Sequence, residues 1–330
     1  MKALVLGGGS IGTRHLRNLR ALGVTYLALF EPETQRRDAL CQEMGLDGFG
    51  RLDHALGWQP DFVLIASPTH LHVEQALEAA RRGCHLFVEK PLSHTAEKLY
   101  ELAREIEQRG LISLVGCNMR FHPGPAKVKE LLGRDVLGRL LFARVHTGSY
   151  LPGWRPWQDY RQSYSASAAM GGGCILDCIH EIDLTRWYMG KVEEVFCLAG
   201  HQSSLEVDVE DVAALMCKHV SGALSEIHLD YVQRTYERGC HIVGEQGSIF
   251  WDYNQGTVRW FDAAQGVWHT FAQSQDWQTN QMYVDELRHF LNCVHTGSQT
   301  TLPVSDAIEV MRIVFAAKAS TACGCMVRVE

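Results

Sequence analysis

The stretch Leu6 to Leu19, LGGGSIGTRHLRNL, constrains the fold more than any other part of this chain. An apolar run, KALVLG over residues 2–7, leads into it, and a helix-compatible segment leads out. Gly7, Gly9 and Gly12 carry the spacing G-x-G-x-x-G. Between a strand and a helix, the first glycine permits a tight turn and the second lets the backbone approach a pyrophosphate. The third lets the helix pack on the strand, and the helix N-terminus is aimed at the anion. Outside that setting the same glycines would be only a flexible turn.

The setting continues. Further short apolar runs follow at 25–30 (TYLALF), 61–67 (DFVLIAS), 84–90 (CHLFVEK) and 111–117 (LISLVGC). Amphipathic segments such as THLHVEQALEAARRG and TAEKLYELAREIEQRG separate some of them, each closed by a glycine suited to a helix end. Nearly all-apolar strands spaced by helices predict a parallel sheet covered on both faces, a doubly wound Rossmann-type α/β half.

After RFHPGP the pattern changes to one helix, a strand near 139–148, and the polar aromatic loop YLPGWRPWQDYRQSYSASAAMGGG. One helix is expected from Cys174 to Met189. Alternating runs over 192–272, among them DVAALMCKHV, GALSEIHLDYV and GSIFWDY, predict a mostly antiparallel sheet, and two helices (about 279–295 and 305–321) close the chain. At 330 residues two domains are expected, a dinucleotide-binding domain over 1–120 and a second domain over 121–330 for substrate and subunit contacts.

Charge and cysteines narrow the partners. A net charge of −7 without a Lys/Arg cluster argues against nucleic acid, and no apolar run approaches the ~20 residues of a membrane span. The opening MKALVLGGG is too quickly broken by glycine for a signal peptide, so a cytoplasmic protein is expected. The eleven cysteines are scattered and several sit in apolar runs, so neither a disulfide framework nor a metal site is expected, although Cys174 and Cys178 flank Asp177 near His180.

Glu31 closes the second strand, nineteen residues past Gly12. A carboxylate there accepts hydrogen bonds from the adenosine ribose hydroxyls, unless it is simply a solvated acid in the turn EPET. Taken with the glycines it points to NAD. NADP is disfavoured because its 2′-phosphate would meet the Glu31 carboxylate, while Arg36 and Arg37 are expected to face solvent.

Two more stretches carry a resemblance to a family. ASPTHLHVEQALEAARRGCHLFVEKPLS resembles the third- and fourth-strand region of the glucose-fructose oxidoreductase / inositol dehydrogenase / MocA family, with its Glu-Lys-Pro tripeptide at Glu89, Lys90 and Pro91. GGGCILDCIHEIDLTRWYMG resembles that family's second-domain helix. The resemblance implies a Rossmann domain followed by an α/β domain with a large open antiparallel sheet, whose open face would form a homodimer or homotetramer. It also implies dinucleotide contacts at Gly7, Gly9, Ile11, Gly12, Glu31, Ser67, Pro68, Thr69, His72, Glu89 and Lys90. Catalytic roles would fall on Lys90, Asp177 and His180, with Asn118 and Arg120 near the nicotinamide or substrate. The family's spacing is departed from at one place. Members often set the His four after the first Asp and three before a second. Here His180 is three from Asp177 and three from Asp183, so alignment from Asp177 puts Glu181 at the His position and alignment from Asp183 puts His180 there. His180 is favoured because imidazole titrates nearer neutrality.

The implied reaction is hydride transfer between NAD and a hydroxyl carbon of a sugar, sugar acid, nucleotide sugar or polyol. His180 would take the hydroxyl proton, Lys90 would hold the alkoxide-like oxygen, and Asp177 would orient both. Trp157, Arg161 and Tyr164, with Trp154, Arg155 and Tyr160, suit a sugar ring with an anionic group, or pack as a loop on the second domain or a neighbouring subunit. Two other functions share the fold: a redox-assisted NAD-dependent glycosidase or lyase, and a non-catalytic sugar-sensing regulator.

Overall fold

The structure, a computed structural model, describes all 330 residues. Packing divides them into two units, Met1–Asn118 with Thr279–Ile308, and Met119–Gln278 with Glu309–Glu330.

In the first unit β1 (Lys2–Leu6), α1 (Ser10–Ala21), β2 (Tyr26–Phe30), α2 (Thr34–Met44), β3 (Asp47–Phe49) and α3 (Leu52–Gly57) are followed by β4 (Phe62–Ile65), α4 (His72–Arg81), β5 (His85–Glu89), α5 (Leu99–Gln108) and β6 (Ser113–Gly116). The six-stranded sheet is parallel throughout, in the order β3-β2-β1-β4-β5-β6. The strands are short and apolar because both faces are covered, and every residue of β4 is buried. The strand order reverses beside β1, so the loops after β1 and β4 open the crevice where such sheets bind ligands. The pair β3 and α3 was not among the expected elements, because a three-residue strand, DGF, with two exposed residues leaves no readable pattern.

In the second unit α6 (Pro123–Gly133) and β7 (Leu140–Gly148) precede α7 (Cys174–Asp177), α8 (Ile179–Met189), β8 (Val192–Gly200), β9 (Val212–His219), β10 (Leu224–Asp230), β11 (Glu237–Gly244), β12 (Gly247–Asp252), β13 (Thr257–Asp262) and β14 (Val267–Ala272). The chain then returns to the first unit for α9 (Asn280–Thr296) and the start of α10 (Val304–Cys323), and the rest of α10 and β15 (Val327–Arg328) belong to the second. The nine-stranded sheet runs β14-β13-β12-β11-β7-β10-β9-β8-β15, and only β7 and β10 pair parallel. Its alternation is clear in β9, where Ala213, Leu215 and Cys217 are buried and Ala214 and Met216 exposed. The exposed face carries Leu198, Met216 and Leu224 on three adjacent strands.

Two expectations are corrected. The helix expected over 174–189 is two helices, interrupted at Cys178 (φ −91°, ψ 32°), which re-aims α8 just before His180. The segment Thr279–Ile308, expected with the second domain, packs in the first unit. Its Leu302 carbonyl accepts from Val115 N (2.9 Å) and Thr300 Oγ1 donates to the Ser113 carbonyl (2.6 Å), so this segment covers backbone groups of edge strand β6.

Candidate active site

The glycine loop has the geometry that its spacing demands. Gly7 sits at φ +100°, and a Cβ there would lie 2.7 Å from the Ala66 carbonyl oxygen, so only glycine fits. A Cβ on Gly12 would overlap the Gly7 carbonyl oxygen, which is the close helix–strand approach expected of the third glycine. Gly9 differs: a Cβ there would meet nothing within 4 Å, leaving open space over the start of α1. Gly9 supplies no side-chain cap, and the first turn of α1, which includes Ile11, carries no acidic residue. Amides at such a helix start have no helical partner and favour an anion, so the loop fits a dinucleotide pyrophosphate.

Glu31 is buried at the end of β2. Its Oε2 accepts from Gly8 N (2.8 Å) and its Oε1 from Glu33 N (3.0 Å), which turns the carboxylate toward the glycine loop. Of the two arginines expected to face solvent, Arg36 does, with its side chain 50% exposed, whereas Arg37 is turned inward at 18%. Arg36 Nη1 lies 3.5 Å from Glu31 Oε2, and Arg37 Nη1 donates to the Glu31 carbonyl (3.3 Å).

The loops after β4 and β5 are tied together by His72. Its Nε2 lies 2.8 Å from the Ser67 carbonyl and its Nδ1 2.9 Å from the Pro91 carbonyl. Burial pushes its pKa down, partly opposed by the two carbonyls. With both ring nitrogens engaged on backbone, His72 braces these loops and leaves neither nitrogen for a ligand. Ser67 Oγ donates to Gln75 Oε1 (2.6 Å), Pro68 precedes a single 3₁₀ turn, and Thr69 is buried at its start.

Glu89 is likewise held from within. Its Oε1 lies 2.6 Å from His15 Nε2 and its Oε2 accepts from Lys90 N (3.2 Å). Lys90 follows β5 at the same carboxyl end of the parallel sheet as Gly7 and Ser67, and Asn118 lies buried just beyond β6. His15 was missed in sequence, although the signal was present: it lies three residues past Gly12 on the buried face of α1 with Leu16 and Leu19.

In the second unit the carboxylates around His180 are each engaged. Asp177 Oδ1 accepts from Tyr164 Oη (2.9 Å), and Oδ2 accepts from Ser165 Oγ (2.6 Å) and Tyr231 Oη (3.3 Å). Burial pushes the Tyr231 pKa well up, so its hydroxyl remains a donor. Glu181, fully buried, pairs with Arg238 Nε at 2.7 Å, and that charge together with Tyr236 and Cys178 raises the Arg238 pKa against its burial. Asp183 receives a two-pronged bond from Arg120, at 2.8 Å from Nε and 2.6 Å from Nη2, with both side chains almost wholly buried. Arg120, expected at the substrate, is thus engaged inside the unit. His180 lies at the first turn of α8, 7% exposed, three residues past Asp177 and across the break at Cys178.

The loop before the glycine run is only partly drawn inward. Tyr164 reaches Asp177, and Trp154 packs edge-on against Tyr231 with ring centroids 5.3 Å apart. Arg161 pairs with Asp159 and Glu206 at the surface, and Trp157 is 80% exposed. Gly172 and Gly173 are required because a Cβ would collide with the Tyr164 carbonyl and with Glu210. Ser165, Tyr231, Arg238 and Glu210 were also missed in sequence. They are ordinary strand and loop residues whose role depends on long-range contacts.

No group of three or more His, Cys, Asp or Glu is arranged to hold a metal ion, and no helix is long and apolar enough to cross a membrane.

A parallel sheet in this strand order, with a glycine loop open over a helix start and an acid at the end of β2, defines a dinucleotide-binding α/β protein with a second sheet domain. Residues 1–117 match the family model described as "Oxidoreductase family, NAD-binding Rossmann fold", and residues 126–250 match "GFO/IDH/MocA C-terminal domain". The chain belongs to the GFO/IDH/MocA oxidoreductase family, and NAD is its cofactor. It is 27% identical over 351 residues to scyllo-inositol 2-dehydrogenase (NAD(+)) of Bacillus subtilis, covering 100% of this chain and 96% of that one. It is also 27% identical over 214 residues to 2,7-anhydro-N-acetylneuraminate hydratase of Mediterraneibacter gnavus, covering 63% of this chain and 55% of that one. The structure of levoglucosan dehydrogenase in complex with NADH shares the fold, with a TM-score of 0.91 at 20% identity, over 100% of this chain and 99% of that one.

Proposed function

We propose that the protein is an NAD-dependent dehydrogenase acting on a secondary hydroxyl of a cyclic polyol or sugar. Full-length similarity to an inositol dehydrogenase supports this substrate class. NAD supplies the hydride acceptor when bound to the first unit. His180 takes the hydroxyl proton, and the Lys90 ammonium stabilises negative charge that develops as the hydride leaves. Asp177, holding Tyr164, Ser165 and Tyr231, fixes the chain entering α8 rather than relaying protons itself.

The observation that carries the choice of base is the Glu181–Arg238 pair. A carboxylate ion-paired with arginine keeps its charge and is a poor proton acceptor near neutrality, whereas an imidazole ordinarily titrates near ~6.5. Tyr164, Trp157 and Arg161 are proposed for the substrate side, with a homodimer or homotetramer formed through the exposed face of the nine-stranded sheet. A panel of inositols, anhydrosugars, sugar acids and nucleotide sugars, followed by absorbance of reduced nicotinamide, tests the reading. Net NADH with an oxidised product supports it.

A second reading is favoured by the similarity to a hydratase. In it the protein oxidises its substrate transiently, loses or adds water at the acidified neighbour, and reduces it again. Product without net NADH marks this outcome and sinks simple dehydrogenation.

A further inference from the structure

Two cysteines stand apart from the other nine. Of eleven in the chain, only Cys323 and Cys325 are exposed, the rest being buried or, for Cys41, half-buried. They flank a single glycine in the run CGC at the end of α10, and their sulfurs lie 2.6 Å apart. A disulfide is shorter and two unbonded sulfurs settle farther apart, so the fold, rather than a loose tail, brings the pair within bonding reach.

Three features fix it. Gly324 takes a left-handed conformation (φ +63°) with its N–H on the Ser320 carbonyl (2.8 Å), which reverses the chain at the helix end. Ser320, fully buried, donates from Oγ to the Cys325 carbonyl (2.6 Å) and accepts from Cys197 N of β8 (2.9 Å). Beyond Cys325 the chain pairs as β15 with β8, and Val329 N donates to the Glu193 carbonyl (2.9 Å). The backbone on either side of the glycine is therefore anchored to the sheet, and both thiols are delivered to one exposed point.

We propose that Cys323 and Cys325 form a thiol–disulfide exchange site that closes to a reversible intrachain disulfide with a low-molecular-weight disulfide such as oxidised glutathione. In the first step the Cys323 thiolate attacks one glutathione sulfur, breaking that S–S bond and releasing one glutathione thiolate. The Cys325 thiolate then attacks the Cys323 sulfur of the mixed disulfide and releases the second glutathione. Two protein thiols are oxidised, one glutathione disulfide is reduced to two thiols, and the two protons pass to the departing thiolates.

The order of attack follows from the contact between the sulfurs. The Cys325 thiol, hydrogen-bonded to Cys323, pulls the Cys323 pKa down while its own rises. The carboxyl end of α10 works the other way, since a helix C-terminus disfavours an anion. Proximity and exposure, rather than strong acidification, make the site. A disulfide spanning one residue and open to solvent belongs to the readily reduced kind, so it cycles rather than locks.

The test uses the full-length protein equilibrated with glutathione buffers of stepped thiol-to-disulfide ratio, quenched in acid, alkylated after denaturation and digested with trypsin. Cleavage after Lys318 and Arg328 yields Ala319–Arg328, which contains these two cysteines and no other. As the buffer becomes more oxidising, this peptide should lose both alkyl groups and become two hydrogens lighter than the dithiol. The other nine cysteines should remain alkylated. Cys325→Ser should stop at the first step, with one glutathione on Cys323. A peptide that stays doubly alkylated throughout overturns the proposal. So does one that carries glutathione on both sulfurs without closing, or that links two chains. Both residues are exposed, so the variants keep the fold.

Discussion

Nε2 of His15 lies 2.6 Å from Oε1 of Glu89, with the imidazole fully buried beneath the nucleotide-binding helix. The other oxygen of Glu89 accepts from the backbone N–H of Lys90. His15→Ala should leave the buried carboxylate short of a partner and cost about 2–3 kcal/mol of stability. It should also lower kcat by loosening Lys90. Urea unfolding and steady-state rates measure the two effects, and a loss below ~0.5 kcal/mol, the range of surface changes, would mean that solvent or a neighbour replaces the imidazole.

Arg120 and Asp183 form a buried two-pronged pair. Removing one partner strands the other, so Arg120→Met should destabilise by about 3–5 kcal/mol, while Arg120→Met with Asp183→Leu should recover most of it. Thermal unfolding of both variants checks this. An unchanged melting temperature with a large rise in KM would return Arg120 to the substrate.

The choice between His180 and Glu181 separates by readout. His180→Ala should reduce kcat by ~10²-fold or more with a folded protein. Glu181→Gln should act mainly on stability, by weakening the buried pair with Arg238. A folded, stable Glu181→Gln enzyme with the larger rate loss would reverse the assignment.

His122 caps α6 through Nδ1, which accepts from Gly124 N (3.1 Å), and packs against Trp251, Tyr253 and Trp277. Burial first, and the Arg238 charge second, push its pKa down to about 4. Because the folded pKa is below the ordinary one, protonation favours unfolding. The stabilisation is complete above about pH 6.5 and is lost as pH falls toward 4, by at most about 3 kcal/mol. His122→Asn keeps a capping oxygen and does not titrate. Urea stability from pH 7 to 4 should therefore fall more steeply for the unmodified protein, and parallel curves would refute the assignment.

Glu31 should set a preference for NAD over NADP of at least tenfold in Kd, because a carboxylate and a ribose phosphate ~4 Å apart repel by about 4 kcal/mol per charge pair at an effective dielectric of 20. Glu31→Ser should narrow the gap mainly by admitting NADP, since Arg36 already lies beside the carboxylate and would then meet the phosphate. Fluorescence titration of both cofactors measures this. Equal affinity of the unmodified protein for the two would show that Glu31 does not meet the ribose.

What the sequence by itself determined was what depends on neighbours along the chain. Gly7 and Gly12 follow from a strand–turn–helix that admits no side chain at those points, and the parallel sheet follows from short runs apolar on both faces. Tertiary structure alone decided which polar side chains meet. Arg120 and Asp183 lie sixty-three residues apart and Glu181 and Arg238 fifty-seven, and nothing local to either pair distinguishes a buried ion pair from a ligand-binding arginine or a catalytic acid. The break at Cys178 and the return of Thr279–Ile308 to edge strand β6 were decided at the same level. Burial makes such partners necessary, since a charge removed from water must find its complement wherever the fold brings one.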